Sequence, residues 1–229
     1  MDGRHTHRVL IAFLRFDNEE YQAEASMVTY FCLPMNKITV WLTQREWIHC
    51  QLVFWDCELR QYYTFSVDTK RPVHVFDRKS FERGWDWLAL YVTEQSELRI
   101  YNFLVAQLGK TMNASGQLTA LFCPLDSGGE RWFCSELVTA ALQAGGVIDF
   151  STWETADGPY GVVMHHLYDF LLHQCRTCVV RKLPGNPVAV ENLFLYLNQP
   201  GLPVALYDED GDMISLSEAA AMSRQSRTL

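Results

Sequence analysis

Clustered positive charge is missing from this sequence. Lys and Arg together number 19 against 27 Asp and Glu, for a formal net charge of −8. Nucleic acid and anionic membrane are therefore not expected as main partners, because holding phosphates needs grouped cations. Long apolar runs are missing too, and nothing approaches the roughly 20 residues that cross a bilayer as a helix. The short apolar stretch 9–14 is broken by Arg15 and Asp17 and lacks a small-residue cleavage site, so neither a transmembrane segment nor a signal peptide is expected. The seven cysteines (Cys32, Cys50, Cys57, Cys123, Cys134, Cys175 and Cys178) are odd in number and lack the regular spacing of a secreted disulfide framework, which points to a reducing, cytoplasmic setting. No internal repeat and no low-complexity tract is present.

What is present suits one packed domain with an appendage: 229 residues, 48% of them hydrophobic. Residues 9–16 (VLIAFLRF), 37–42 (KITVWL), 47–55 (WIHCQLVFW) and 61–67 (QYYTFSV) are short and rich in aromatic and β-branched side chains, so the first half is expected to be mostly strand. The polar stretch 56–60 between the last two predicts an antiparallel hairpin. Residues 81–91 carry Trp85, Trp87 and Tyr91, a group expected to fill the core rather than line an acyl or peptide groove. Leu98, Tyr101, Leu104, Val105 and Leu108 mark a helical stripe. After the glycine-containing connector 124–130, residues 131–146 (RWFCSELVTAALQAGG) form a second helix stopped by two glycines. Residues 162–175 predict a third helix and 177–182 a strand. Pro184, Gly185 and Pro187 then interrupt the chain, giving a main domain over 1–183 and an appendage over 184–229, with ordered-looking stretches at 189–198, 204–207 and 215–221 and a frayed end.

One pair of residues carries chemistry. Cys134 falls at a helix start, where exposed N–H groups stabilise a thiolate and where its own N–H or that of Ser135 could face a developing oxyanion. His49 lies inside an apolar strand, where an imidazole is costly unless paired or used. Strand alternation sets Gln51 on the face of His49 and Cys50 on the other. If 47–55 and 61–67 pair, Ser66 falls near His49, so Gln51 and Ser66 are candidates to orient the ring. Gln61 is a further candidate. Asn113 is a candidate for a substrate loop or for a loop-holding side chain. Glu136, in the first helical turn, suits the helix dipole but opposes a thiolate. Cys175 and Cys178, with His165, His166 and His173 nearby, could suggest zinc or redox chemistry. A structural zinc site usually draws four ligands from two knuckles, and no thioredoxin order of strand, loop and helix surrounds this pair. No metal and no cofactor is assigned.

The stretch WFCSELVTAALQAGG, with the upstream strand IHCQLVF, the intervening LGKTMNASG and the downstream GPYGVVMHHLYDFL, resembles the circularly permuted NlpC-like papain-fold hydrolases. That group includes relatives of lecithin retinol acyltransferase, bacterial lipoprotein-like members and many proteins of large DNA viruses. The resemblance covers about residues 47–172 and includes the order of parts, with the His-bearing strand before the Cys-bearing helix. It implies an α+β, papain-like fold with a mostly antiparallel sheet packed on the Cys helix. It also implies a cysteine hydrolase, peptidase or amidase, forming an acyl-enzyme on Cys134 with His49 as base. The substrate would be a peptide, amide or acyl compound, and the setting could be the cytoplasm of a virus-infected cell. A lipid or thioester acyltransferase, or a catalytically silent binding module, are the other activities the group allows. One departure is Gln51, where related members often carry Glu.

Overall fold

The structure, a computed structural model, describes residues 7–15, 47–56, 61–68, 71–78, 85–113, 129–153, 158–159, 162–175, 177–183, 206–207 and 213–214. The expected strand at 37–42, and the expected order at 189–198 and 215–221, lie outside them.

The first strand, β1 (His7–Arg15), is apolar on both sides. Val9, Ile11 and Phe13 turn to one face and Leu10, Ala12 and Leu14 to the other, and all six are buried. Such a segment belongs in the middle of a sheet. There β1 pairs antiparallel with β2 (Trp47–Asp56) on one side and β5 (Trp85–Val92) on the other. Strands β3 (Gln61–Asp68) and β4 (Arg71–Arg78) extend the β2 side, and β8 (Val179–Leu183) closes the β5 side. The result is a six-stranded sheet, β4-β3-β2-β1-β5-β8, antiparallel throughout. The fold is α+β.

The expected hairpin is present, with Asp56 paired to Gln61. Residues 81–91 contain a strand that sequence inspection left without a secondary-structure assignment, since Trp85 to Val92 shows no polar alternation and is buried almost throughout. Trp85 and Trp87 fill the second apolar face with Leu14 and Ile48, as expected of core aromatics.

Three helices cover the other face. The first, α1 (Glu94–Ala106), starts where Thr93 Oγ1 accepts from Ser96 N at 3.1 Å, with Glu94 and Glu97 in its first turn. Its buried residues are Glu97, Ile100, Tyr101 and Leu104. Leu98 of the expected stripe is only half-buried, whereas the acidic Glu97 is buried on the core face. Tyr101 meets Phe54 and Phe65 edge to face at 5.8 and 5.5 Å.

The second helix, α2 (Cys134–Ala144), ends in paired bonds, Gly146 N to Gln143 O and Val147 N to Leu142 O. Gly146 sits at φ 72°, the left-handed residue of a Schellman ending. Gly145 is required for another reason, since a Cβ there would lie 2.4 Å from Ile100 Cγ1 of α1. The third helix, α3 (Met164–His173), adds Leu167, Phe170 and Leu171 to the core. Two short strands, β6 (Thr111–Met112) and β7 (Arg131–Trp132), pair in parallel just ahead of α2. A separate two-stranded piece, β9 (Leu206–Tyr207) with β10 (Met213–Ile214), lies in the expected appendage. No helix among the described residues is long and apolar enough to cross a membrane.

Candidate active site

Cys134 is the first residue of α2, preceded by Phe133 in extended conformation (φ −102°, ψ 167°). Phenylalanine has no side chain to cap with, so the helix start is held from elsewhere. Glu136 Oε2 accepts from Phe133 N at 3.3 Å and from Asn113 Nδ2 at 3.5 Å. Asn113 N donates to Trp132 O at 2.9 Å, and Trp132 Nε1 donates to Gln107 Oε1 at 3.1 Å. Asn113 is thus a buried brace between β6 and the start of α2. The hydroxyl of Ser135 is also committed, donating to Val162 O at 2.6 Å, which leaves Ser135 its backbone N–H as the group to offer at this end.

The sulfur of Cys134 is met by β2. His49 and Cys50 of β2 are the neighbours whose polar groups act on its titration. These groups hold the Cys134 thiol well below the ordinary cysteine range. The Cys50 hydrogen bond is the largest cause, followed by the charge and hydrogen bond of His49, all acting against burial. Cys50 moves the opposite way, raised first by burial and then by donating to, and sitting beside, a negative neighbour. Of the two thiols, Cys134 is thus the one whose proton is held less tightly.

Strict strand alternation would send His49 and Cys50 to opposite faces, as expected from sequence, yet both engage Cys134. Alternation itself is kept here, since Cys50 pairs with Phe13 and His49 with Leu14 in regular register, and the β1–β2 register shift falls beyond them, between His49 and Trp47. Cys50 is the site residue that sequence reasoning missed, and only its adjacency to His49 marked it.

His49 Nε2 lies 3.0 Å from Ser66 Oγ. The structure brings Cys134, His49 and Ser66 together. Gln51, the other candidate to orient the ring, is 2% exposed, and its Nε2 has no hydrogen-bond partner. Gln61 is paired with Asp56 at the hairpin end. Trp85 forms a wall, its ring centroid 6.3 Å from that of His49. Cys134, Cys50 and Ser66 are 5%, 1% and 4% exposed, whereas His49 is only partly buried. Approach to the sulfur is therefore from the imidazole side.

Comparison with protein-family models, curated proteins and solved structures finds no match. The chemistry of the site rests on its geometry. Among the described residues, no three His, Cys, Asp or Glu side chains are grouped so as to hold a metal ion.

Proposed function

We propose that this protein is a cysteine hydrolase, a peptidase or amidase on a permuted papain-like fold, with Cys134 as nucleophile, His49 as base and Ser66 as the group that orients the ring. The observation that supports this is the meeting of His49 with a thiol at a helix N-terminus whose proton affinity is depressed. A structural cysteine in an apolar core has its pKa raised, because burial disfavours the thiolate. Cys134 goes the other way.

In the proposed reaction the Cys134 thiolate adds to the carbonyl carbon of an amide or ester. The electron pair displaced to oxygen is met by backbone N–H groups at the start of α2, including that of Ser135, with the helix dipole behind them. His49, protonated, gives its proton to the departing nitrogen or oxygen, and the carbonyl re-forms as a thioester on Cys134. Neutral His49 then takes a proton from water as the water attacks the thioester, and Cys134 leaves as thiolate. Ser66 Oγ, accepting from the ring Nε2–H, fixes the imidazole plane and steadies its positive form. Transfer of the acyl group to another nucleophile would use the same steps with water replaced.

The reduced exposure of Cys134 favours a second reading, a binding module with a silent thiol. Brief alkylation with iodoacetamide across a pH series, read peptide by peptide in a mass spectrometer, separates the two. A hydrolase labels Cys134 with a midpoint below that of an ordinary thiol, takes an acyl group from an activated ester on the same sulfur, and loses both in His49→Ala. A silent module labels Cys134 no faster than the buried Cys50 at any pH, and that result would overturn the proposal.

A further inference from the structure

A second pair of sulfurs lies away from this site, in the turn between α3 and β8. Cys175 Sγ and Cys178 Sγ are 3.8 Å apart, both only partly buried. No third His, Cys, Asp or Glu joins them among the described residues, which leaves a dithiol rather than a metal knuckle. We propose that Cys175 and Cys178 form a reversible dithiol–disulfide site that reacts with small disulfides such as glutathione disulfide, Cys175 attacking first and Cys178 resolving.

The surroundings assign the two roles. Cys175 Sγ lies 3.4 Å from Thr177 Oγ1 and 3.7 Å from Val147 O, and Thr177 Oγ1 donates to the same Val147 carbonyl. The hydrogen bond from the Cys178 thiol, with smaller ones from the backbone N–H groups of Cys178 and Thr177, brings the Cys175 thiol down to about 5, against burial. Cys175 lies two residues beyond the end of α3, whose carbonyl end disfavours an anion, so these local donors are what hold the charge. Cys178 is raised by donating to its neighbour and by burial. The lower thiol is the one present as a nucleophile at neutral pH, and the higher one remains a thiol until its partner is consumed.

The chemistry balances in two exchanges. The Cys175 thiolate attacks one sulfur of glutathione disulfide, forming a mixed disulfide and releasing one glutathione thiolate. Cys178 then loses its proton to solvent and attacks the Cys175 sulfur, expelling the second glutathione thiolate. The protein is oxidised by two electrons and glutathione disulfide is reduced. Ring closure brings the sulfurs from 3.8 Å to a bond of about 2.05 Å.

The test uses the full chain in buffers of graded reduced to oxidised glutathione, quenched with acid and mapped by peptide mass. The expected wild-type product is an internal Cys175–Cys178 disulfide that dithiothreitol reverses. Cys178→Ser should stop at glutathione on Cys175, and Cys175→Ser should leave Cys178 unmodified, with a rate difference between the two single variants of roughly tenfold or more. Equal modification of both variants would overturn the assigned roles. A wild-type pair that stays reduced in excess glutathione disulfide, or that copurifies with stoichiometric zinc lost on either substitution, would overturn the site itself. The wild-type measurement does not depend on how the variants fold, and none of these readouts depends on Cys134.

Discussion

His49 Nε2 sits 3.0 Å from Ser66 Oγ although the two residues are not cross-strand partners. The pairing of Leu52 with Phe65 puts the position of Ser66 beside Gln51, and His49 reaches it along the diagonal, where strands β2 and β3 part. A diagonal contact spans about 7–8 Å between Cα atoms, within reach of a ring and a hydroxyl. Replacing Ser66 by Ala should leave Cys134 present and the fold intact but free the ring to rotate. The loss of one hydrogen bond to a charged ring is worth about 1.5–3 kcal/mol, so turnover or Cys134 acylation should fall by roughly tenfold or more, with a smaller effect in Ser66→Thr. An unchanged rate in Ser66→Ala would remove Ser66 from the site.

Cys50 gives a pH prediction whose sign follows from the geometry. Its thiol donates to Cys134 and is the largest of the causes that lower the Cys134 pKa. In Cys50→Ala that donor is gone, the Cys134 pKa rises, and the thiolate fraction at neutral pH drops. Alkylation of Cys134 should slow by roughly tenfold for each unit of rise at pH about 6–7 and recover at pH about 9–10, above the ordinary thiol range. Cys50→Ser keeps a donor and should restore most of the neutral-pH rate. A rate lost equally at all pH values would instead indicate a collapsed site.

Some of this was legible before any coordinates. The central strands, the hairpin and the start of α2 at Cys134 follow from apolar runs, turn residues and the Gly145–Gly146 stop. His49 and Ser66 followed from the idea that two facing strands bring polar groups together, although the pairing that placed them differs by two residues from the observed register. Cys50 did not follow, because the inference looked for polar groups on the face of His49, and this thiol occupies the next position of β2. Strand β4 was not marked, since the aromatic and β-branched content of Arg71–Arg78 is modest. Of the expected α1 stripe, Tyr101 and Leu104 are in the core and Val105 and Leu108 pack against it, whereas the buried Glu97 looks polar in the sequence and was not marked. Each miss has a local cause in which tertiary contacts outweigh periodicity.

Gln51 is a buried amide with an unpartnered Nε2. An orphaned donor costs about 1–3 kcal/mol relative to an apolar group of the same shape. Gln51→Met should therefore match or exceed the wild-type stability in urea unfolding, by up to about 1–2 kcal/mol after small packing losses. If Gln51 serves the reaction, the same variant should lose activity while gaining stability, the pattern expected where function is held against stability. Destabilisation by more than about 2 kcal/mol would mean that the amide has a partner.

Gly145 and Gly146 are adjacent and should fail differently when replaced by Ala. At Gly145 the new methyl meets Ile100 Cγ1 at 2.4 Å and Ile100 Cδ1 at 2.9 Å, so α1 and α2 must move apart, at a cost of about 1–3 kcal/mol. Truncating the opposing side chain past Cγ1 relieves that clash, and the double variant Gly145→Ala with Ile100→Ala should recover part of the loss beyond additivity. At Gly146 the space is open, but φ is 72°, and the cost is about 1 kcal/mol of backbone strain that no change at Ile100 relieves. Urea midpoints for the three single variants, at Gly145, Gly146 and Ile100, and the two double variants test this directly. Equal coupling of both glycines to Ile100 would contradict the close approach of α1 to the end of α2, the helix whose other end presents Cys134.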